Sequence, residues 1–165
     1  MSSTDAQKTV DILRDIIIFH GLSDDEIGYL MDHLVMHEFP PAACICEEGA
    51  MGNSFFIILD GTVSICKKDA SGTSHVLRTL GKGEAFGEMT LIDVMARSAS
   101  VLAENTVTAA ELQYKAIRDL HNLQPETYMK ILLNITREFS RRLRYMDDKY
   151  VDFLQLPPEE MVKLH

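Results

Sequence analysis

The central segment, from about Ala42 to Leu112, constrains the fold most, because it consists of short β-type runs separated by turn residues. The runs are Asn53 to Leu59, Thr62 to Lys67, His75 to Leu80, Ser98 to Ala103 and Val107 to Leu112. Asp60-Gly61 between the first two runs indicates a hairpin, and Ser71-Gly72 turns the chain again. Many short strands with frequent turns predict a small antiparallel β-barrel or jelly roll.

Helical patterns flank this segment and make the predicted fold class α+β. Thr4 to Phe19 carries apolar residues at helical spacing, and Ser23 with Glu26 is a capping box that opens a second helix. That helix is predicted to include Leu34 on its apolar stripe and to stop before Pro40-Pro41. The chain is therefore divided into N-terminal helices at 1–38, the β-barrel at 39–113 and C-terminal helices at 114–165.

The C-terminal segment predicts one long helix over about 125–154, with Pro125 in its first turn. Its stripe has alternating spacings of three and four residues and is broken only by a threonine: Met129, Leu132, Thr136, Phe139, Leu143, Met146, Tyr150 and Phe153. In one interpretation the stripe packs on its own barrel. A seam of this length exceeds what a small barrel can cover, which favours a parallel homodimer through this helix.

The charge balance argues against direct DNA binding by this chain. The net charge is −9 and the isoelectric point is near 5.0, whereas proteins that hold nucleic acid usually present a basic stripe. The basic cluster at Arg137, Arg141, Arg142 and Arg144 is interpreted as a solvated helix face or as a source of intersubunit ion pairs.

Cysteine usage and hydropathy predict a cytoplasmic protein with no membrane contact. Three cysteines exclude a complete disulfide framework, and Cys44 and Cys46 are interpreted as core-facing. The sequence has no second Cys or His pair at ligand spacing, so it does not predict a metal site. No apolar run approaches the ~20 residues that a membrane helix needs, and the first residues lack the layout of a secretory signal.

The stretch from Phe86 to Ala99 carries the chemistry. Gly87 lets the backbone pass close to a ligand, and the residues from Glu88 to Ile92 can form one helical turn whose N–H groups attract an anion. Arg97 offers a planar fork of donors suited to a phosphate. Glu88 accepts hydrogen bonds and suits a hydroxyl. A ligand with one phosphate and a nearby ribose hydroxyl would satisfy all of these groups.

This stretch resembles the phosphate-binding cassette of the cyclic-nucleotide-binding domain family, approximately F-G-E-L-A-L-x-x-x-x-P-R-[SAT]-A. The resemblance continues upstream in three segments of this chain: Leu80 to Phe86, Ser54 to Val63 and Phe19 to Glu26. It covers most of the chain, from about Ile18 to the end of the long helix. Ala96 stands where the family usually has Pro, and Thr90 where it usually has Ala.

The resemblance implies cAMP or cGMP as the ligand, bound in the barrel, with no metal. Arg97 and backbone N–H groups near Glu88, Met89 and Ser98 would hold the phosphate, and Glu88 would accept the ribose 2′-hydroxyl. Tyr145, within the segment 142–147 of the long helix, could stack on the purine as a lid. The implied binding residues are Gly87, Glu88, Met89, Thr90, Arg97, Ser98, Ala99 and Tyr145. In relatives selective for cGMP the residue after the arginine is often Thr, so Ser98 favours cAMP.

The predicted function is a regulatory sensor that signals when the ligand repositions the C-terminal helix. The alternative is the same fold with a vestigial pocket, acting as a dimeric protein-interaction module. Catalysis is disfavoured, since the sequence offers no nucleophile–base set, metal site or P-loop. About a dozen residues follow Phe153, too few for a helix-turn-helix module. The chain is thus expected to be a stand-alone sensor or a piece of a larger protein.

Overall fold

Two four-stranded antiparallel sheets form the centre of the computed structural model, which describes residues 3–89, 92 and 95–155. The strands are β1 Leu34–Phe39, β2 Cys44–Cys46, β3 Ser54–Asp60, β4 Val63–Lys68, β5 Ser74–Leu80, β6 Ala85–Phe86, β7 Ser100–Ala103 and β8 Val107–Gln113. One sheet has the order β1-β8-β3-β6 and the other β2-β7-β4-β5. This arrangement confirms the predicted antiparallel jelly roll, flanked by helices on the N-terminal and C-terminal sides.

The N-terminal helices are α1 Ser3–Asp15 and α2 Asp24–Asp32, joined by a 3-10 turn at Ile17–Phe19. The single helix predicted from Thr4 to Phe19 therefore ends early. The predicted capping box is present: the Ser23 hydroxyl accepts from the Glu26 N–H at 3.3 Å, and the Glu26 carboxylate accepts from the Ser23 N–H at 2.6 Å.

The end of α2 differs from the prediction. The helix ends at Asp32, and Leu34 begins β1 instead of extending the helical stripe towards Pro40. The physical reason is a tertiary one: Leu34 to Phe39 pairs in register with Leu112 to Val107 of β8, so the sheet supplies the backbone partners. β-structure thus begins inside the segment 1–38 that was expected to be helical.

The predicted Asp60-Gly61 hairpin is also wrong. The turn exists and Gly61 has φ +89, but β3 pairs with β6 and β8 while β4 pairs with β5 and β7. The turn therefore carries the chain from one sheet to the other. The hairpin is instead β4–β5, where the Asp69 carboxylate accepts from the N–H groups of Ser71 and Thr73.

The two cysteines of β2 do not share an environment. Cys46 is buried, whereas Cys44 is exposed. The register shifts between them, which indicates a bulge and breaks the strict alternation of a strand.

The C-terminal helices are α3 Tyr114–Leu123 and α4 Pro125–Leu154, and the second begins with the predicted proline. One hydrophobic core joins the helices to the face of the first sheet that is turned away from the second sheet: Leu13, Phe19, Ile27, Leu30, Phe55, Ile57, Leu112, Ile117, Leu120, Ile131 and Ile135. The other core lies between the sheets: Phe56, Ile58, Val63, Phe86, Val101 and Ala109.

Helix α4 has two unlike halves. Its N-terminal half is anchored by Ile131 and Ile135, which are 0% and 1% exposed, so that each contributes about 1.5–3 kcal/mol by burial. The buried Asn134 amide donates to the carbonyls of Ile18 and His20, at 3.2 and 2.8 Å. The apolar side chains of the C-terminal half are exposed: Leu143, Tyr145, Met146, Tyr150, Val151 and Leu154. Within the described residues, no helix is long and apolar enough to span a membrane.

Candidate functional site

Arg97 is fixed at both its backbone and its side chain. Its N–H donates to the Ala50 carbonyl at 2.8 Å, and its own carbonyl accepts from the Gly49 N–H at 2.9 Å. The guanidinium is buried, with Nη1 donating to the Gly87 carbonyl at 3.0 Å and Nη2 to the Ser54 carbonyl at 2.7 Å. A loop, a strand and the cassette therefore meet at one cation.

Two glycines leave room for this guanidinium. A Cβ placed on Gly52 would lie 2.7 Å from Nη2 of Arg97 and still closer to Nε and Cζ. A Cβ on Gly87 would lie 3.3 Å from Cζ of Arg97 and also 3.3 Å from the Ser54 carbonyl oxygen, and Gly87 has φ +89, which a side chain disfavours. The tight packing fixes where the guanidinium can present its donors.

Glu88, the residue after Gly87, is also buried, with 2% of its surface exposed. Its Oε1 accepts from Nη1 of Arg142 on α4, whereas Oε2 has no hydrogen-bond partner among the described residues. The Tyr114 hydroxyl donates to the Gly87 carbonyl and so supports the backbone that carries this carboxylate. One oxygen of Glu88 is thus available to a hydroxyl donor.

Arg142 connects the cassette to α4 and to a second carboxylate. Its Nε donates to Oε1 of Glu138 at 3.1 Å, one helical turn earlier. A small cavity beside this pair also includes Arg78 of β5 and Glu84. Burial and the nearby Arg142 charge lower the pKa of Arg78, and the carboxylates of Glu88 and Glu84 act in the opposite direction.

The structure places most of the predicted site residues together. Arg97 donates to the Gly87 carbonyl, and Glu88 is the residue after Gly87. The exposed Ser98 hydroxyl lies 3.6 Å from the Met89 sulfur. Ala99 is half-buried between Ser98 and β7. Met89 and Ile92 are helical, while Thr90, inside the expected helical turn, lies outside the described residues.

Tyr145 is not brought to the cassette. It is 63% exposed, and its ring lies 5.8 Å from the Lys149 ammonium on the same helix. The residue of the predicted lid segment that reaches the cassette here is Arg142. A lid contact by Tyr145 therefore remains a prediction.

Sequence reasoning missed four contributors to this site: Gly52, Ser54 as a carbonyl acceptor, Tyr114 and Glu138. The glycines at 49 and 52 signal a loop, and Glu138 with Arg142 is a recognisable i,i+4 pair. No local pattern indicates the partners of Ser54 and Tyr114. Within the described part of the chain, no group of three or more His, Cys, Asp or Glu side chains is placed to hold a metal ion.

Comparison with known proteins finds a matching family model and similar solved structures. A family model described as the cyclic nucleotide-binding domain matches residues 36–123, a range that begins within β1 and includes β2 to β8 and the cassette. The crystal structure of a cyclic nucleotide-binding domain from Methylobacillus flagellatus superposes with a TM-score of 0.80 at 26% identity, covering 93% of this chain and 86% of that one.

Two curated relatives are similar over most of this chain. The cAMP-activated global transcriptional regulator CRP of Haemophilus influenzae is 31% identical over 122 residues, 73% of this chain and 53% of that protein. Glutaminase 2 of Bradyrhizobium diazoefficiens is 32% identical over 140 residues, 85% of this chain but only 22% of that protein. The chain spans about half the length of the transcriptional regulator and a smaller part of the glutaminase.

Proposed function

The chain belongs to the cyclic nucleotide-binding domain family, and we propose that it is a regulatory module that binds cAMP in preference to cGMP. The observation that carries the proposal is that the cassette buries two charged groups close together. One is the guanidinium of Arg97, which donates to the Gly87 carbonyl, and the other is the carboxylate of Glu88, the residue after Gly87. A cyclic nucleotide presents an anionic phosphate and a ribose hydroxyl close together, which matches one cation and one acceptor.

The phosphate is proposed to bind at Arg97. Burial strengthens the attraction between the guanidinium and an anion, since the surrounding dielectric is lower than in water. The ribose 2′-hydroxyl would donate to Oε2 of Glu88, the oxygen that has no partner among the described residues. This assignment uses both carboxylate oxygens and leaves Arg142 in place.

The preference for cAMP rests on Ser98, which follows the phosphate-binding arginine. In cGMP-selective relatives this position is often a threonine, and here the serine hydroxyl is exposed and within 3.6 Å of the Met89 sulfur. Met89, Thr90, Ala99 and Tyr145 are proposed to complete the contacts around the phosphate and the base.

Signalling is proposed to act through α4. The Glu88–Arg142 ion pair joins the ribose site to this helix, so a ligand that changes the position of Glu88 favours one placement of α4 over another. In this proposal the chain is a non-catalytic, cytoplasmic sensor and makes no direct contact with DNA, in keeping with its net charge of −9.

Calorimetric titration of the purified protein with cAMP, repeated with cGMP, tests the proposal. Binding at micromolar or lower Kd is expected for cAMP, with a weaker value for cGMP. Equal or tighter binding of cGMP would remove the assignment of Ser98. Titrations without heat for both nucleotides, together with an unchanged Tm, would contradict the sensor function.

A dimeric interaction module with a vestigial pocket is the second candidate. The observation that favours it is the exposed apolar seam on α4, in which Leu143, Met146 and Tyr150 are each at least 60% exposed. A parallel homodimer through this helix would cover them. A protein that is dimeric yet binds neither nucleotide would support this candidate over the sensor.

A further inference from the structure

Arg142 is shared by two carboxylates that lie on different parts of the fold. Glu88 belongs to the cassette and is 3% exposed at its side chain, whereas Glu138 belongs to α4 and is 17% exposed. Nη1 of Arg142 donates to the Glu88 carboxylate, and Nε of Arg142 donates to the Glu138 carboxylate at 3.1 Å. The guanidinium therefore spans the gap between the cassette and the helix.

Glu138 lies where the anchored half of α4 ends. Phe139, next in the chain, packs against the core of helices and the first sheet, while Leu143 one turn later is 60% exposed. Glu138 also accepts from Arg141, which is 55% exposed at its side chain. Its carboxylate is thus held on a rigid part of the helix, from which it can orient a side chain on the less constrained part.

Without its hydrogen bond to Glu138, the Arg142 guanidinium could contact Glu88 in several orientations. An arginine side chain has many rotamers, and a hydrogen bond to Nε fixes the plane of the guanidinium fork. Because Nε is fixed by Glu138, Nη1 points at Oε1 of Glu88 and leaves Oε2 for the ligand. Asp15, Arg78 and Glu84 line the small cavity beside Glu138 and Arg142.

We propose that Glu138 is a positioning residue for cyclic-nucleotide binding, acting through Arg142 to hold the ribose-binding carboxylate of Glu88 in its receptive orientation. The inference rests on the proposed function and extends it to a residue that touches no ligand. Removing the Glu138 carboxylate releases Arg142. Glu88 then loses its fixed counter-ion, and Oε2 no longer presents a single geometry to the ribose hydroxyl.

A double-mutant cycle with cAMP titration tests the proposal. We expect Glu138→Ala to weaken cAMP binding about tenfold, and to have no further effect in an Arg142→Ala background, because the two residues act as one unit. The matched control is Arg141→Ala, which removes the other partner of Glu138 and should leave the affinity within about twofold. Parent-like binding by Glu138→Ala, or additive losses in the double variant, would overturn the proposal.

A second measurement needs no ligand and separates this inference from the proposed function. In ¹⁵N NMR spectra of the ligand-free protein, the Nε–H signal of Arg142, assigned by its loss in Arg142→Lys, should be protected from solvent exchange. We expect this protection to disappear in Glu138→Ala and to persist in Arg141→Ala. Protection that survives in Glu138→Ala contradicts the positioning role, whether or not the parent binds a nucleotide.

Discussion

Gly52 lies against the guanidinium of Arg97 so closely that one additional carbon atom would overlap with it. A Cβ at this position would be 2.7 Å from Nη2 and nearer still to two other atoms of the side chain. The loop at residues 47–53 thus forms one wall of the proposed phosphate site. Because Gly52 has no side chain, the Arg97 guanidinium can occupy the position on which the site depends.

We expect Gly52→Ala to weaken cAMP binding by at least about tenfold and also to lower the Tm, because the added Cβ displaces a buried guanidinium that donates to the carbonyls of Gly87 and Ser54. Calorimetric titration and thermal unfolding measure the two effects. The matched control is Gly28→Ala, since a Cβ there meets nothing within 4 Å and α2 gains a better helix former. An unchanged affinity in Gly52→Ala would remove this loop from the site.

Arg97→Ala should bind cAMP about 100- to 1,000-fold more weakly, which corresponds to ~3–4 kcal/mol. The reason is that a buried phosphate would lose its cation and a bidentate donor. Titration calorimetry gives the affinity. Arg144→Ala, at an exposed arginine of α4, serves as the control for the loss of one positive charge. If both variants bound alike, the cassette assignment would be wrong.

Glu88→Gln should weaken cAMP binding less than Arg97→Ala, by about tenfold, since an amide oxygen still accepts a hydroxyl proton. The amide also lacks the charge that holds Arg142, so some loss is expected. The comparison is made by titration of both variants under one set of conditions. A loss in Glu88→Gln that equals that of Arg97→Ala would show that charge, and not hydroxyl acceptance, dominates at this position.

Stability should fall in acid because of Glu26. Burial raises its pKa, but hydrogen bonds from Thr127, the Ser23 N–H and Lys130 outweigh this effect and lower the pKa from 4.5 to about 2. The group therefore contributes ~3 kcal/mol above pH 4.5, and the contribution is lost as the pH falls from 4.5 to about 2. Urea unfolding at several pH values measures this loss. Glu26→Gln should show a flatter dependence, and an identical slope would contradict the assignment.

Met146→Asp should convert the proposed dimer into a monomer, because a charge in the middle of an apolar seam cannot be paired there. Met146 is 64% exposed in the single chain. Sedimentation equilibrium measures the molecular mass. Lys149→Asp, a change on the same helix but off the seam, should leave the mass unchanged. A parent protein that is monomeric at high concentration would exclude the seam as a dimer interface.

The sequence predicts the cassette and the long helix because their signals are local. Gly87, Glu88 and Arg97 lie within eleven residues of one another, and the structure brings them together as expected. Pro125 begins α4, as a proline suited to a first helical turn should. In these cases the neighbouring residues carry enough information to specify the geometry.

Features that depend on distant partners could not be predicted in this way. Leu34 belongs to a strand because β8, more than seventy residues later in the chain, pairs with it. Asp60-Gly61 has the composition of a hairpin turn, yet the sheets on either side determine which strands pair. Likewise, the hydrogen bond between the Tyr114 hydroxyl and the Gly87 carbonyl has no counterpart in any sequence pattern.

The unequal anchoring of α4 gives the helix the properties of a lever arm. Its pivot lies near Phe139, the last of its described side chains that packs against the core, and the helix ends at Leu154. Fifteen residues of α-helix measure about 22 Å, so a rotation of about 10° at the pivot would move the tip by ~4 Å. A displacement too small to disturb the ion pair at Glu88 would thus be amplified several-fold at the distal end of the helix.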